Sequence, residues 1–599
     1  MTVIDATINA IRNLGPRVFS RLLERFLKLP PARTRDLAVT KNIEVPMRDG
    51  VVLKADSYAP RHPSRGARAA PRSDESSLPT VLVRSPCGKG GIHAALFGRP
   101  FAERGYRVLI QSCRGTGASG GTFDPFRQEA DDGLDTVKWL GSQPWFSGDL
   151  ATIGPSYLGF VQWALVAAIG SISEDEREAI PRPKAMAVQI APSDFRGPVY
   201  EGESFALHTF LRWTRQRWNF RNGSRPLALL ASLGRTLLGV EDRVVQRAAD
   251  SLPLGVPLGD LDRQVTGGRV DYWQSWLDHD APDDPWWDKA RHSDAVAGVG
   301  APVFLLGGRY DIFLPGLLRD FAKLREAGKR PRLIIGPWAH KDQGWTKVAI
   351  REALNFFDAH TRGVTPGEPG KDPASEDLVH LHVGGADEWR SYSDFPPPGA
   401  EPERWHLHGG GRLATDPPES SSPDLYRYDP ADPTPSVGGP LFGRGAGPVD
   451  NSTLEARHDV LLYTSAPLVR GLEVVGLVEA ELWVSSSLEH TDFFVRFCDV
   501  GSEGRSVNVC DGLLRVAPGR PEPGADGTLH LQIELWPTAY RFERGHKLRL
   551  QVSSGAHPRL ARNPGSGQPL ATATRQIPAD QEIFHDPEHP SSLTLSVLG

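Results

Sequence analysis

The sequence predicts a three-part chain: an α/β domain with a mostly parallel sheet, a helical insertion within it, and a C-terminal all-β jelly roll. Between residues 80 and 340 there are six short, continuously apolar runs, several followed by helical patterns such as 129–141. That alternation is typical of a parallel sheet covered by helices on both faces. A segment rich in Trp and Arg, about 196–290, separates the fourth run from the fifth and predicts a helical cap. From about residue 376, apolar and polar residues alternate between Pro, Gly and Asp turns, which favours a jelly roll.

Residues 1–40 precede this pattern and are predicted to form a helical extension. In the segment 17–29, apolar side chains recur at helical spacing and basic side chains occupy the other face. We expect this helix to pack on the body of the protein or on a second subunit of a homodimer, and a membrane-surface contact is the alternative. The segment lacks the apolar core of a signal peptide, and no run in the chain reaches the ~20 apolar residues of a spanning helix. The sequence therefore predicts no membrane span.

The α/β domain is predicted to begin with a hairpin. Residues 43–60 contain two strand patterns around an Asp-Gly turn at Asp49 and Gly50, and a polar loop follows at 61–77. The six strands of the parallel sheet are then TVLVRSP (80–86), RVLIQSC (107–113), LATIGPS (150–156), AMAVQIAP (185–192), PVFLLGGRYD (302–311) and RLIIGPWAH (332–340).

The domain limits follow from the changes of pattern. Four C-terminal segments alternate as strands do, and a turn-rich loop is predicted for 424–440. The four segments are LVHLHV (378–383), VEAELWVSS (478–486), DFFVRFCDV (492–500) and HKLRLQVSS (546–554). The predicted divisions are 1–40 for the extension, 41–195 with 291–375 for the α/β domain, 196–290 for the cap and 376–599 for the jelly roll.

Composition excludes several classes of function. A formal net charge of -5 with 24% charged residues gives no global basic field of the kind that attracts nucleic acid. The four cysteines, Cys87, Cys113, Cys498 and Cys510, form no CxxC pair, which argues against a disulfide scaffold and against a thiolate zinc site. We expect a cytoplasmic protein with no nucleic-acid partner, no metal and no organic cofactor.

The stretch ATIGPSYLGF, 151–160, predicts a nucleophilic serine. Ser156 lies between the strand LATIG and the helix LGFVQWALVAAI, where a sharp turn can lift a hydroxyl above the carboxyl edge of a sheet. Because such a turn crowds the backbone, it needs small flanking residues. Gly154 relieves the strand side, and Gly159, one place later than in the usual hydrolase pattern, lets the helix pack closely on its neighbour. An ordinary glycine-containing loop is the alternative.

Two further residues stand at the ends of later strands, as an α/β-hydrolase requires. Asp311 ends PVFLLGGRYD and His340 ends RLIIGPWAH, which gives the chain order Ser, Asp, His. In that arrangement His340 takes the proton from Ser156, and Asp311 fixes the imidazole tautomer and stabilises its charged form. Taken singly, Asp311 could instead be a helix N-cap and His340 a surface-loop histidine.

These residues belong to a larger set of motifs that resembles a known family. The motifs are RSPCGKG (84–90), RGTGASGG (114–121), the segment 129–163, GGRYDIF (307–313), GPWAH (336–340), DEWR (387–390), YDPADPTPSVGG (428–439) and CDGLLRV (510–516). By them the chain resembles the cocaine esterase and X-Pro dipeptidyl-peptidase-like (CocE/NonD) serine hydrolases from about residue 41 to the C-terminus. The resemblance implies Ser156, Asp311 and His340 as nucleophile, acid and base. It also implies an α/β-hydrolase domain with a helical cap and a jelly roll of the galactose-binding-like type.

The same resemblance implies an oxyanion hole with one unusual position. The backbone N–H of Tyr157 matches one donor of the family, and Cys87 stands where the family has a tyrosine hydroxyl. A thiol is a weak and short donor, and loss of one oxyanion donor typically costs ~10² to 10³ in turnover. Cys87 could lower activity on ordinary esters, leave the place to another donor or to water, or reshape the pocket for another acyl group. A half-buried filler and a second nucleophile near His93 are the remaining alternatives.

The predicted activity is hydrolysis of a small carboxylic ester, or of an amide, through an acyl-enzyme on Ser156. By resemblance Phe313, Trp213, Leu441 and Phe442 line the pocket, and their apolar character suits an aromatic or acyl ester, although such residues can also be plain interface core. The alternatives on the same site are an X-Pro dipeptidyl-peptidase, which would hold a free amino group with carboxylates, and an acyltransferase. A non-catalytic binding protein on the same frame is the alternative from another class.

Overall fold

The computed structural model describes residues 16–61, 78–222, 240–364 and 378–599. Residues 1–15 of the predicted extension therefore lie outside the described residues, and so does nearly all of the predicted polar loop, residues 62–77. Within them, the chain forms an α/β layer structure with an inserted set of helices and a separate all-β sheet, so the predicted fold class is confirmed.

The first sheet contains ten strands and is parallel at its centre. The strands up to residue 392 are β1 (Leu37–Pro46), β2 (Val52–Pro60), β3 (Thr80–Ser85), β4 (Arg107–Ser112), β5 (Leu150–Pro155), β6 (Pro183–Gln189), β7 (Tyr200–Glu201), β8 (Ser204–Phe205), β9 (Val303–Tyr310), β10 (Arg332–Ala339), β11 (Val379–Val383) and β12 (Glu388–Tyr392). Their order is β1-β2-β4-β3-β5-β6-β9-β10-β11-β12. The strands from β4 to β11 along this order are parallel, and the hairpins β1–β2 and β11–β12 close the two edges.

Helices cover both faces of this sheet. The α-helices are α1 (Pro16–Leu27), α2 (Arg99–Ala102), α3 (Glu129–Gly141), α4 (Tyr157–Ser171), α5 (Glu174–Glu178), α6 (Arg196–Val199), α7 (Leu207–Asn222), α8 (Val240–Ala249), α9 (Leu261–Thr266), α10 (Asp271–Asp278), α11 (Leu314–Glu326), α12 (Gly344–Arg362) and α13 (Ser452–Glu455). Val81 and Val83 of β3 belong to the core that α12 helps to form, whereas Leu82 belongs to the core formed with α3 and α4. This alternation of buried side chains explains why the central strands are apolar throughout.

The N-terminal helix α1 packs on the body of the protein. Phe19, Leu23 and Leu27 are buried at intervals of four residues, and α1 lies against α12. The predicted apolar face is narrower than expected, because Val18 and Leu22 are 48% and 38% exposed. β1 begins at Leu37, inside the segment assigned to the extension. Within the described residues, no helix combines the length and the apolar character needed to span a membrane.

The described residues of the insertion between β6 and β9 are mainly helical, and they also contain the hairpin β7–β8. Residues 223–239 of the predicted cap lie outside the described residues. Trp273, Trp276 and Trp287 are fully buried in the insertion. The hairpin contacts the C-terminal sheet, because Gly202 accepts a hydrogen bond from the backbone N–H of Arg515 at 2.8 Å. A Cβ at Gly202 would lie 1.7 Å from the carbonyl oxygen of Leu513, so only glycine permits this approach.

The C-terminal sheet contains eleven strands. They are β13 (Ala400–His408), β14 (Arg412–Ala414), β15 (Asp424–Tyr428), β16 (Leu461–Thr464), β17 (Leu472–Ser486), β18 (Thr491–Val500), β19 (Ser506–Val516), β20 (Leu529–Phe542), β21 (Lys547–Ser553), β22 (Ala579–Phe584) and β23 (Ser592–Leu598). Their order is β15-β22-β17-β23-β13-β14-β16-β21-β18-β19, with β20 paired to β17.

Two predictions for this region were wrong. The segment LVHLHV, assigned to the jelly roll, forms β11 and pairs in parallel with β10 of the first sheet. The segment 424–440, predicted as a turn-rich loop, begins with strand β15. Alternation along a strand identifies its buried face but not the sheet that supplies its partner, which explains the first difference. In the second, the Pro, Gly and Asp residues that signal turns lie after the five residues of the strand.

Candidate active site

Ser156 lies on a strained turn between β5 and α4. Its backbone angles are φ 58 and ψ -128, a conformation that is costly for a residue with a side chain. The turn is held by a hydrogen bond of 2.8 Å from the Ser156 backbone N–H to the carbonyl of Gln189, at the end of the neighbouring strand β6. This geometry places the hydroxyl at the carboxyl edge of the parallel sheet.

Two glycines make this turn sterically possible. A Cβ at Gly154 would lie 2.3 Å from Cβ of Leu158, and a Cβ at Gly159 would lie 2.4 Å from Cβ of Ala191. Both distances are far below van der Waals contact. The displaced glycine of the sequence motif therefore serves the close packing of α4 on the segment after β6.

We expect Gly159→Ala to lower the free energy of unfolding by about 1–3 kcal/mol, because the new methyl group forces α4 away from Ala191. Turnover should fall with it, since Ser156 and Tyr157 precede Gly159 in the same turn. The matched control is Gly170→Ala in the last turn of α4, where a Cβ meets nothing within 4 Å. Denaturant midpoints measure both effects, and equal midpoints for the two variants would contradict this account.

His340 contacts both Ser156 and Asp311. Its Nε2 lies 3.1 Å from Ser156 Oγ and its Nδ1 lies 2.8 Å from Asp311 Oδ2. Asp311 is 1% exposed and His340 is 4% exposed, so these contacts are largely shielded from water. The structure thus brings together the three side chains that the sequence analysis selected from distant parts of the chain.

The Asp311 carboxylate is fixed by its position before α11. Its Oδ1 accepts a hydrogen bond of 2.8 Å from the backbone N–H of Phe313, which leaves Oδ2 for His340. Asp311 is not the N-cap of α11, because that position is held by Phe313; its carboxylate instead closes the turn before the helix and contacts the histidine. On the other side, the backbone N–H of Ala339 donates to Asp342 at 2.7 Å and stabilises the turn that carries His340.

Tyr157 is the first residue of α4, where backbone N–H groups have no acceptor within the helix. Its side chain is buried, and the phenol donates to Glu129 Oε1 at 2.7 Å and accepts from the backbone N–H of Phe126 at 3.0 Å. Burial, with the nearby Glu129 carboxylate, raises the pKa of Tyr157 well above its ordinary value. The phenol therefore stays neutral and anchors the residue whose amide follows the serine.

Cys87 is exposed, so it is not the half-buried filler considered from the sequence. Its backbone N–H donates to Ser85 Oγ at 3.1 Å, and its Sγ lies 3.6 Å from Nη1 of Arg217 in the cap. The neighbouring His93 has its Nε2 3.4 Å from Ser85 Oγ, and burial lowers its pKa to about 4. The thiol thus meets a guanidinium, and the hydrogen bond of His93 goes to Ser85.

Of the predicted pocket residues, Phe313 and Phe442 lie against His340, with ring centroids 5.1 and 5.2 Å from the imidazole. The ring centroid of Trp213 lies 6.0 Å from that of Phe126, and Leu441, the residue before Phe442, is half-buried. The rings of this region form a continuous chain of ring contacts from His340 and Tyr157 into the cap, and we call this chain the aromatic wall; most of its members are buried. Its members that sequence analysis missed are Phe123, Phe126, Phe195, Tyr272 and Trp276.

Among the residues that the structure describes, no group of three or more His, Cys, Asp or Glu side chains is arranged to hold a metal ion.

A parallel sheet with Ser156, His340 and Asp311 in contact at its carboxyl edge, covered by an inserted cap, defines the class of α/β-hydrolase-type enzymes. Two family models match this chain: X-Pro dipeptidyl-peptidase (S15 family) over residues 49–342, and the X-Pro dipeptidyl-peptidase C-terminal non-catalytic domain over 373–594. A cocaine esterase from Rhodococcus sp. (strain MB1 Bresler) is 32% identical, with 94% of this chain and 99% of the esterase aligned. The chain belongs to this family of cocaine esterase and X-Pro dipeptidyl-peptidase-like hydrolases, and it is an enzyme.

Solved structures agree on the fold. An α-amino acid ester hydrolase gives a TM-score of 0.73 at 21% identity, covering 95% of this chain and 98% of that chain. An aminopeptidase from a marine sediment Thaumarchaeota archaeon gives a TM-score of 0.73 at 20% identity, covering 94% and 97%. The resemblance inferred from the motifs is confirmed by these comparisons.

Proposed function

We propose that this hydrolase cleaves carboxylic esters through an acyl-enzyme on Ser156. The observation that carries the proposal is the double contact of His340, 3.1 Å to Ser156 Oγ and 2.8 Å to Asp311 Oδ2. In this arrangement the imidazole removes the serine proton as the hydroxyl oxygen attacks the carbonyl carbon. Asp311 accepts the Nδ1–H bond and stabilises the imidazolium that forms.

The remaining steps follow from the same groups. The carbonyl oxygen gains negative charge in the tetrahedral intermediate, and the backbone N–H of Tyr157 at the start of α4 stabilises it. His340 gives its proton to the leaving alcohol, which leaves the acyl group on Ser156. A water molecule then repeats the attack with His340 as base and releases the acid.

An X-Pro dipeptidyl-peptidase is the second candidate, and the match to the S15 family model favours it. Such an enzyme must attract the free ammonium group of its substrate. The cation Arg217 lies beside Phe123, and the cation Lys341 lies beside the predicted pocket residue Phe442 and directly follows His340; both would repel that group. The aromatic wall, in contrast, suits an uncharged acyl or aryl group. These two features favour the ester.

The test compares 4-nitrophenyl butyrate with Ala-Pro-4-nitroanilide, followed by mass spectrometry of quenched enzyme. We expect a higher kcat/KM for the ester, and an acyl or fluorophosphonate adduct on the peptide that contains Ser156. Faster cleavage of the anilide would favour the peptidase. Folded enzyme that forms no adduct would refute covalent catalysis at this serine.

A further inference from the structure

We propose that the mouth of the active site carries a subsite for a carboxylate group of the substrate, centred on Arg217. The inference rests on the ester hydrolysis proposed above and adds a substrate class to it. Arg217 lies on α7 of the cap, one turn after Trp213, and is half-buried. It is the contacts of its guanidinium that point to a ligand.

These contacts bring no negative charge to the Arg217 guanidinium. Its Cζ lies 4.7 Å from the centre of the Phe123 ring, and its Nη1 donates to the carbonyl of Pro86 and lies 3.6 Å from Cys87 Sγ. Its Nε is buried and has no hydrogen-bond partner, and Arg217 takes part in none of the ion pairs between described residues. A cation held by a ring face, a carbonyl and a thiol keeps N–H donors for an anion.

The aromatic wall connects this cation with the nucleophile. The ring of Phe123 lies 6.2 Å from that of Tyr157, which directly follows Ser156. The same ring lies 6.4 Å from Trp213. Arg217 also contacts Pro86, which follows β3, and β3 pairs in parallel with the strand β5 that precedes Ser156. Arg217 is thus at the same carboxyl edge of the sheet as the reacting hydroxyl, where a group several bonds from the scissile ester would lie.

A second cation, Lys341, contacts the same helix α7 and is the neighbour of the catalytic histidine in sequence. Lys341 follows His340, and its Nζ lies 4.0 Å from the centre of the Phe442 ring. The ammonium also donates to Oε1 of Gln216, the residue before Arg217, at 3.4 Å. Two cations near the pocket attract an anionic substrate and disfavour an ammonium.

The chemistry of the subsite defines the substrate class. A guanidinium presents parallel N–H donors whose spacing matches a carboxylate. The adjoining wall is aromatic, so the part of the substrate between the carboxylate and the ester should be apolar. We therefore infer that preferred substrates are esters with an apolar body and a free carboxylate, on either the acyl or the alcohol side.

The experiment compares two pairs of esters with wild type and Arg217→Met. On the acyl side the pair is the 4-nitrophenyl hemiester of glutaric acid and 4-nitrophenyl pentanoate. On the alcohol side it is 3-carboxyphenyl butyrate and phenyl butyrate. We expect Arg217→Met to lower kcat/KM for one or both carboxylate esters on the order of ten- to a hundredfold, mainly through KM, and to change the neutral esters by less than about threefold.

Two further variants make the result specific. Arg217→Lys keeps the charge and should retain part of the preference for the carboxylate ester. The matched control is Arg263→Met, which removes a cap cation whose side chain is 57% exposed and pairs with Asp260. It should leave both pairs unchanged, because an exposed charge of this kind is screened by water and salt.

Each outcome decides the proposal. If Arg217→Met changes neutral and carboxylate esters by the same factor, or changes neither, the carboxylate subsite is refuted. Turnover of the neutral esters by wild type tests ester hydrolysis separately, so the proposed ester hydrolysis can be supported even when the carboxylate subsite is refuted. Absence of turnover on all four esters refutes both. Fluorophosphonate labelling of Arg217→Met verifies that the variant is folded with a reactive serine.

Discussion

Replacement of Ser156 by alanine is expected to lower kcat for 4-nitrophenyl butyrate on the order of 10⁵- to 10⁶-fold, and His340→Ala should have a similar effect. The two side chains act as one unit, since the hydroxyl is a poor nucleophile until the imidazole accepts its proton. The double variant should therefore be no slower than either single variant. Asp311→Asn should cost ~10⁴, because the amide no longer fixes the required tautomer of His340. Steady-state kinetics on variants with wild-type circular dichroism measures these losses.

The chain offers a matched control for this experiment. In the C-terminal sheet, Ser421 Oγ lies 2.7 Å from His585 Nδ1, and His585 Nε2 lies 3.0 Å from Asp424 Oδ2. The serine of this second Ser–His–Asp contact lies on the segment between β14 and β15, whereas Asp424 begins β15 and His585 follows β22, so none of the three stands at a strand-to-helix turn. Ser421→Ala should keep full activity and full fluorophosphonate labelling. Retained activity in Ser156→Ala, or loss of labelling in Ser421→Ala, would contradict the proposed nucleophile.

The parts of the fold that sequence analysis predicted well are those where a pattern has only one structural solution. The helix predicted for 129–141 is observed as Glu129–Gly141, and the apolar run before Ser156 is observed as β5. A continuous apolar run as short as this one, bounded by Gly and Pro, is too short for a buried helix and favours a strand buried on both faces, and the Gly and Pro mark its ends. Local sequence was sufficient in these places.

Other elements depend on contacts that no local pattern encodes. LVHLHV alternates as any half-buried strand does, and its pairing with β10 is decided by the open edge of the first sheet. The strands of the hairpin β7–β8 are two residues long each, too short to show a period. For such elements the tertiary partner, and not the sequence, decides the structure.

The candidate site shows the same division. Ser156, Asp311 and His340 were selected because each stands at a strand end, a position that sequence marks. Phe123 and Phe126 come from a loop with no period, and their place in the wall is visible only in three dimensions. The same holds for the proximity of Arg217 to Cys87, two residues that lie 130 positions apart.

The backbone N–H of Tyr157, which follows Ser156, is positioned by a buried ion pair that the phenol of Tyr157 contacts. Arg84 Nη2 lies 2.8 Å from Glu129 Oε2, and both side chains are 2% exposed. Arg84 also donates to the carbonyl of Glu129 at 2.8 Å and to Gln111 at 2.9 Å. Glu129 in turn accepts the phenol of Tyr157 at 2.7 Å. Charge compensation and the orientation of Tyr157 thus depend on one carboxylate.

We expect Glu129→Gln to lower the free energy of unfolding by about 3–5 kcal/mol, because it leaves the Arg84 guanidinium buried without a counter-charge. The amide preserves the shape of the side chain, so cavity formation contributes little to this loss. Turnover should also fall, because Tyr157 is less firmly held, whereas KM should change less. Denaturant midpoints followed by activity, with steady-state kinetics, measure both effects.

Two variants separate this explanation from a general effect of losing a carboxylate. Asp131→Asn removes an acid two residues away on α3, whose side chain is 72% exposed and pairs with Arg48. Its cost should stay below about 1 kcal/mol, since exposed pairs contribute little. Arg84→Met combined with Glu129→Leu removes both buried charges and should recover most of the stability lost in Glu129→Gln. Turnover should not recover in the double variant, because leucine offers no acceptor to the Tyr157 phenol. Equal midpoints for Glu129→Gln and Asp131→Asn would refute the role assigned to the buried pair.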